Sequence, residues 1–252
     1  MNIIARYVCL SFKKNFAYKA NCIFVILDDC LSLFSLWLFW SSLMELDVTL
    51  AGWTKNSIWL FMGFSLIATA VSNLFVGGFD IQRHVQEGTL DNYLVKPCNS
   101  VLLILLERAN FMRFAFTFSA GLIIVMLYSP FERIGAAAMG IGLCILATIA
   151  LELIVLAIYE LAFWLKKVDT FADITWTVFS IRQYPVVFFG KKVTMLLTYI
   201  LPVAFVGTIP TELIAGERLG WSLPIFGCLF VVIVGLVWGL WQAGRRQYES
   251  AN

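Results

Sequence analysis

The chain is organised around the stretch Gln86-Glu87-Gly88-Thr89-Leu90-Asp91-Asn92-Tyr93-Leu94-Val95-Lys96-Pro97, the most polar run in an otherwise apolar sequence. Glycine adopts the left-handed conformation at little cost, so Gly88 predicts the end of a preceding helix. Thr89 is then placed to cap a new short helix, with Asp91 in its first turn near the positive end of the helix dipole. Pro97 disfavours helical backbone at the residue before it and ends this short helix.

An apolar stripe runs along the predicted short helix, because Leu90, Tyr93 and Leu94 occupy positions i, i+3 and i+4. A helix this short is not stable in water by itself, so the stripe requires a surface to pack against. Two surfaces are available. The stripe either folds back on the helix ends of the protein itself or inserts into a soluble partner, and we favour the soluble partner.

The composition excludes a soluble globular domain. Hydrophobic residues make up 61% of the 252 residues and charged residues only 13%, whereas soluble domains carry about 25% charged residues. Such a chain has too few polar groups to face water on all sides. It is predicted to be all-α, a polytopic membrane helix bundle. We expect membrane lipid around it and no nucleic acid among its partners.

Six stretches have the length of about 17–25 residues that crosses a bilayer. They are residues 22–43, 57–79, 111–127, 134–155, 193–209 and 223–241. Before them, residues 1–20 have an apolar helical row opposite basic residues, which predicts an amphipathic helix in the membrane interface. Residues 21–252 then form the transmembrane domain. A further apolar segment, 171–189, is interrupted by polar residues; we interpret it as a membrane-surface helix, with a seventh span as the alternative.

The positions of the basic residues predict the orientation. With the N-terminus inside, all of the 18 Lys and Arg residues except Lys55, Arg133 and Arg218 fall on the inner side. An excess of Lys and Arg in the short inner loops is the usual determinant of membrane orientation. Both termini, and the loop over 80–100 that contains the polar stretch, are therefore predicted to be cytosolic.

Four acidic residues fall within or close to the predicted spans: Asp28, Asp29, Glu152 and Glu160. A carboxylate inside a membrane is costly unless it is paired or hydrated, so each is a possible membrane-charge site. All four lie toward the predicted cytosolic side. We favour structural pairing with basic residues such as Lys19, Lys166 and Lys167 over a proton relay or a substrate contact.

Sequence motifs for catalysis or metal binding are absent from the chain. His84 is the only histidine, and the six cysteines form no close cluster, so a zinc site has no support. The chain has no glycine-rich phosphate loop and no nucleophile motif. We therefore expect no metal and no cofactor of its own.

The polar stretch resembles the cytosolic loop of type-2 ABC exporter permeases, through Glu87-Gly88-Thr89-Leu90-Asp91 followed by Leu94 and Lys96-Pro97. Similar residues follow in the same order along the chain: Phe163-Trp164, Tyr184-Pro185, Pro202, and Pro210 within Ile209-Pro210-Thr211-Glu212-Leu213. Together they cover nearly the whole chain. The pattern is similar to a subfamily of six-span half-transporters without a fused ATPase.

The resemblance implies a transport subunit of the inner membrane with no catalysis of its own. Two such permeases, identical or different, pair, and each docks an ABC ATP-binding subunit that binds ATP. Docking uses a cytosolic coupling element, which carries over to Gly88, Thr89, Leu90, Asp91, Leu94 and Pro97. The N-terminal helix would be the family's interfacial elbow, and the segment after Pro210 its outer re-entrant helices.

Two other classes of function remain open at this point. The first is a membrane enzyme, such as an acyl or lipid transferase, that uses Asp28, Asp29, Glu152 or His84. The second is a membrane scaffold that transports nothing. The sequence leaves the substrate open, as well as the choice between a homodimer and a heterodimer.

Overall fold

Helices form all of the regular structure in the part of the chain that the computed structural model describes, which is residues 3–16, 19–45, 52–165, 177, 180–217 and 220–248. A chain this apolar satisfies its backbone polar groups internally, and the helix does so within one segment. The α-helices are α1 Ile3–Phe16, α2 Lys19–Glu45, α3 Lys55–Ser72, α4 Asp80–Gln86, α5 Asp91–Leu94, α6 Ser100–Arg108, α7 Phe111–Tyr128, α8 Ile134–Glu160, α9 Lys191–Tyr199, α10 Thr208–Ala215 and α11 Ser222–Gln247.

The predicted all-α membrane bundle is confirmed. Four helical segments in the described residues are long and apolar enough to cross a bilayer: Cys22–Leu43, Phe111–Tyr128, Phe131–Phe163 and Ser222–Gln247. A fifth candidate is the pair Lys55–Ser72 and Val76–Gln86, which bends by 52° at the break between its two parts. The predicted second span, 57–79, therefore continues past Ser72 only through this bend.

The predicted fifth span, 193–209, is not one helix. α9 ends at Tyr199, a 3-10 turn follows over Pro202–Phe205, and α10 starts at Thr208. A continuous helix fails here because the Pro202 ring fixes its own backbone and has no N–H to donate to the preceding turn. Pro210 lies in the first turn of α10, where a proline is tolerated. The chain after Pro210 is thus helical, as far as Ala215.

The segment 171–189 is only partly described, because 171–176 and 178–179 lie outside the described residues. The described part is helical at Thr177, Ser180 and Ile181 and leaves the helix after Ile181. A surface helix that continues to residue 189 is therefore wrong, and a surface helix over the earlier part stays a prediction. Arg182 and Val186 are 8% and 2% exposed. The Val186 N–H donates to Thr208 Oγ1 over 3.1 Å, and the chain then forms a 3-10 turn over Val186–Phe189. The described part thus combines buried side chains such as Val186 with exposed ones such as Phe189.

The core forms where α3 packs antiparallel to α7. Trp59 stacks on Tyr128 with ring centroids 5.7 Å apart. At the other end of the pair the Asn110 N–H donates to the Asn73 carbonyl over 2.9 Å. We call the end with Asn73 the α5 end of the bundle and the end with Trp59 the opposite end. α8 packs on the other side of α3, where the Cys144 thiol donates to the Phe64 carbonyl.

α2 lies at the edge of the bundle. Phe24 and Leu31 are 69% and 64% exposed, as expected for a face that meets the hydrocarbon of a bilayer. Toward the α5 end, Asp28 and Asp29 hold α2 to Arg113 of α7. Toward the opposite end, Trp40 is buried among aromatic rings of other segments: Phe61, Tyr184 and Phe188.

α1 confirms the helix predicted near the N-terminus, and it packs on α6. The Ser11 hydroxyl donates to the Leu106 carbonyl, and Ile3 and Tyr7 contact the core cluster at the α5 end. Leu10 and Phe12 remain 62% and 50% exposed. The placement of this exposed apolar side in the membrane interface stays a prediction.

Candidate functional site

The polar stretch 86–97 begins at the end of α4, as predicted. Gly88 has a φ of 67°, in the left-handed region. The Thr89 N–H then donates to the His84 carbonyl over 3.0 Å, the bond of a Schellman helix terminus. Thr89 does not cap α5, which begins after Leu90 with no side-chain cap. The Thr89 hydroxyl is instead 2.8 Å from His84 Nδ1, so it reinforces the end of α4.

The apolar stripe of α5 faces the protein and not the outside. Leu90 is fully buried and Tyr93 is 6% exposed. Both belong to a core cluster with Ile81 of α4 and with Leu103 and Ile104 of α6. Fully burying a side chain of this size contributes about 1.5–3 kcal/mol. That gain is available within the chain itself, so the predicted insertion of the stripe into a soluble partner is wrong for these two residues.

Leu94 and Asp91 lie between these two environments. Both side chains are partly exposed, and Leu94 packs at the margin of the same core cluster. Beyond the last residue of α4, the outward side of the stretch consists of residues that are exposed: Glu87, Asn92, Val95 and Pro97. Val95 is the most prominent, at 85% exposed. The sequence identified Pro97 as a coupling residue but not Val95. A helical wheel of five residues does not show which side of the helix packs against the rest of the protein.

Two side chains fix the stretch to its neighbours. The Tyr93 hydroxyl donates to the Glu107 carboxylate of α6, and burial together with this carboxylate raises the pKa of Tyr93. The Lys96 ammonium donates to the Tyr7 hydroxyl of α1. It also lies 5.0 Å from the ring centroid of Tyr7 and 4.9 Å from that of Tyr93. Lys96 therefore joins α1 to the turn after α5.

An ion pair connects α4 to α6 beside the stretch. Asp80 accepts from Arg108 Nε over 2.6 Å and lies 3.2 Å from Arg83 Nη2. The carboxylate is largely buried, whereas both guanidinium groups are about half exposed. Pairs of this kind contribute modestly to stability, but this one fixes the angle between the two helices that carry the stretch.

Three of the four acidic residues near the membrane are paired. Asp29 accepts from Arg113 Nε over 2.6 Å, and Asp28 binds the same guanidinium. Glu152 lies 3.8 Å from Arg182 Nη1, which also donates to the Ser72 hydroxyl over 2.7 Å. These partners differ from the predicted ones. Lys166 and Lys167 lie outside the described residues, and the side chain of Lys19 is also outside them.

Glu160 is different from the other three. Its side chain is fully buried at the end of α8, and neither carboxylate oxygen has a hydrogen-bond partner among the described residues. Arg182, assigned from the sequence to an inner loop, is buried instead, with Glu152 and Ser72. The structure therefore separates the acidic residues into an α2–α7 pair, an interior pair and a single buried carboxyl.

The described residues contain no group of His, Cys, Asp or Glu side chains arranged to hold a metal ion. His84 contacts Thr89 and the ring of Tyr93, at 4.8 Å between centroids. Both neighbours belong to the 86–97 stretch, so the ring of His84 joins the end of α4 to α5.

Comparison with known proteins supplies the family. Residues 30–252 match the model of the ABC-2 family transporter protein. No curated protein and no solved structure matches the chain. The matched region includes α3 to α11 and most of α2, and thus all of the candidate spans except the beginning of the first. Since the family model covers most of the sequence, this multi-pass membrane protein belongs to the ABC-2 family of transporter proteins.

Proposed function

We propose that this chain is the permease subunit of an ATP-driven ABC exporter, placed in the inner membrane with both termini in the cytosol. It pairs with a second permease, either a copy of itself or a different chain. Separate cytosolic subunits bind and hydrolyse ATP. Membership of the transporter family supports the permease role, and the distribution of Lys and Arg supports the orientation.

The observation that carries the proposal is the rigid attachment of the 86–97 stretch to the α5 end of the bundle. Leu90 and Tyr93 are buried in the core, and Lys96 ties the following turn to α1. A force applied to a mobile loop would be lost in the motion of that loop. A force applied to this turn passes directly to α1, α4 and α6 through packed side chains, as coupling to an ATPase requires.

The contact face of the coupling element is the outward side of this turn, formed by Glu87, Asn92, Val95 and Pro97. Gly88, Thr89, Leu90 and Asp91 act differently in this proposal, because they shape the turn and hold it in place. Leu94 lies between the contact face and the residues that shape the turn. An exposed valine among polar residues is a common feature of protein surfaces. Here it lies on a fixed turn and supplies an apolar contact for the ATPase subunit.

The experiment that tests the proposal is a mild-detergent pull-down of the tagged protein, with mass spectrometry and an ATPase assay on the eluate. We expect an ABC ATPase subunit in stoichiometric amount with the unaltered chain. Val95→Asp places a charge on the contact face without touching the core. We expect it to reduce the recovered ATPase subunit about tenfold or more, which corresponds to at least 1.4 kcal/mol of lost binding.

The matched control is Phe131→Asp, because Phe131 is 88% exposed in the short connection at the opposite end of the bundle. It also adds one carboxylate at an exposed apolar position, and we expect full recovery of the ATPase subunit. If Val95→Asp recovered as much ATPase subunit as the control, the outward side of the turn would not be the docking face. A pure chain with no ATPase subunit, or ATP hydrolysis by the chain alone, would overturn the whole proposal.

A further inference from the structure

A cavity of about 520 Å³ lies between α2, α3, α7 and residues 183–184. The cavity lies along the part of α2 between its ion pair with Arg113 and its buried Trp40. α2 covers the cavity at the edge of the bundle. Its volume is in the range of about 300–1,000 Å³ that is typical of small-molecule sites. None of the docking residues described above takes part in it.

The lining of this cavity is rich in groups that make hydrogen bonds. Hydroxyl and amide side chains reach it from α2, α3 and the 180–189 segment: Ser32, Ser35, Ser65, Thr69, Asn73 and Gln183. Two of these side chains donate hydrogen bonds to backbone carbonyls of α3 itself. Thr69 donates to the Ser65 carbonyl over 2.9 Å, and Asn73 Nδ2 donates to the Thr69 carbonyl over 3.0 Å.

Two buried polar atoms in the lining, Ser65 Oγ and Asp29 Oδ2, have no hydrogen-bond partner in the part of the chain that the structure describes. Each of these residues is only 6% exposed. Leaving a buried polar group without a hydrogen bond costs about 1–3 kcal/mol. Both atoms border the cavity, so a ligand with several hydroxyl groups would satisfy them together.

The charged side chains of the lining are Asp29 and Arg113, and Arg113 Nε donates to Asp29 Oδ1 over 2.6 Å. The same guanidinium also binds Asp28, so two carboxylates share one positive charge, which repels an anionic ligand. A hydroxyl group can donate to the free Asp29 oxygen and leave these pairs intact, so the lining favours a hydroxylated ligand.

We propose that this cavity binds the polyhydroxylated headgroup of an amphiphile. The apolar tail lies outside, along the exposed face of α2 that includes Leu31 and Phe34. Leu66 and Phe39 line the same cavity and pack against the apolar part next to the headgroup. Within the proposed function, on which this inference rests, the cavity is where the exporter holds its substrate.

The test uses the full chain in nanodiscs of zwitterionic phospholipid, with radiolabelled dodecyl maltoside as the probe. We expect saturable binding of one probe per chain. Dodecyl trimethylammonium and dodecyl sulfate should bind at least tenfold more weakly, because neither headgroup has a hydroxyl group to donate to the free Asp29 oxygen. Maltose, which has no tail, should also bind at least tenfold more weakly. Stronger or equal binding of any of these three comparison compounds would overturn the assignment.

Two variants locate the binding. Ser65→Ala removes one unpartnered hydroxyl and should weaken probe binding about fivefold, as expected for the loss of one hydrogen bond. Gln183→Ala changes an exposed residue of the lining and is less demanding on folding. The matched control is Ser119→Ala, since the Ser119 hydroxyl lies on the exposed side of α7 and bonds only within its own helix. Equal affinities for Ser65→Ala, Gln183→Ala and Ser119→Ala would contradict the proposal.

The binding assay is independent of the ATPase subunit, so the two proposals fail separately. An ATPase subunit that co-purifies with a chain unable to bind the probe would remove the cavity proposal alone. Probe binding that depends on Ser65, in a chain that recovers no ATPase subunit, would support the cavity as a binding site and remove its role in export.

Discussion

At the scale of single residues, Tyr93 determines how firmly the 86–97 stretch is held. Its ring is buried beside Leu90, and its hydroxyl donates to Glu107. Tyr93→Phe keeps the ring and removes only the hydrogen bond. Because Glu107 is exposed and regains water, the expected loss is about 1 kcal/mol. This should increase amide hydrogen exchange in the peptide over 87–97 about fivefold, as measured by mass spectrometry.

The control for this change is Tyr199→Phe in α9, where the tyrosine is 42% exposed and distant from the stretch. We expect its exchange over 87–97 to match that of the unaltered chain. If Tyr93→Phe and Tyr199→Phe gave the same exchange, the stretch would not depend on the bond to Glu107, and its rigid attachment would rest on apolar packing alone.

Two glutamates of α8 provide a second prediction at this scale. Glu160 is fully buried, and neither of its oxygens has a hydrogen-bond partner among the described residues, whereas Glu152 lies beside the buried Arg182. Glu160→Leu replaces this buried carboxyl with an apolar side chain and should raise the free energy of unfolding by about 1–3 kcal/mol. Glu152→Leu removes the carboxylate beside the buried Arg182 guanidinium and should lower the free energy of unfolding by about 3–5 kcal/mol.

Thermal unfolding in detergent distinguishes the pair. The midpoint should rise for Glu160→Leu and fall for Glu152→Leu, although both variants make the same chemical change in the same helix. A fall in both would mean that Glu160 has an interaction essential to the fold, and a rise in both would mean that the Arg182 pair contributes no stability.

At the scale of helices, the contact between α3 and α7 depends on two facing glycines. A Cβ atom at Gly121 would lie 2.7 Å from the Gly63 carbonyl oxygen and 2.9 Å from the Ile67 backbone nitrogen. Because these are backbone atoms, the helices would have to separate. Gly121→Ala should therefore destabilise the protein by about 1–3 kcal/mol, the usual effect of overpacking a core.

Gly142→Ala is the control for this prediction, since a Cβ atom there would meet no atom within 4 Å. Alanine is the better helix former, so this variant should keep or raise the unfolding midpoint. Circular dichroism during heating measures both variants. Equal midpoints would show that the α3–α7 crossing adapts to the added methyl group.

The sequence predicted the helices at this scale better than it predicted which side of them is covered. A long apolar stretch predicts a membrane-spanning helix by its length and composition, as it did for α7 and α8. The stripe of Leu90 and Tyr93 was visible, but the surface that covers it belongs to α6, and a pattern within one helix does not contain that surface. The burial of Arg182 could not be predicted for the same reason, because its partners Glu152 and Ser72 come from two other helices.

The break in the predicted fifth span had a signal in the sequence that hydropathy outweighed. Pro202 marks the place where α9 cannot continue, yet the residues on both sides are apolar enough to suggest one span. The cavity behind α2 had no signal of its own. Serines three residues apart, such as Ser32 and Ser35, are frequent in membrane helices, and only the packing of α3 and α7 shows that they line a space.

At the scale of the whole molecule, the charge distribution predicts which end of the bundle faces the cytosol. Val95 and Phe131 are 85% and 88% exposed at opposite ends, so each gives a site for labelling.

Val95→Cys and Phe131→Cys are made after the six native cysteines are replaced by serine. A maleimide that does not cross membranes should label Phe131→Cys in intact cells. It should label Val95→Cys only after permeabilisation, because the short loops rich in Lys and Arg stay inside. The reverse pattern would place the proposed docking face outside, where no ATP-binding subunit could reach it, and labelling of both sites in intact cells would show that the α5 end is open to the exterior.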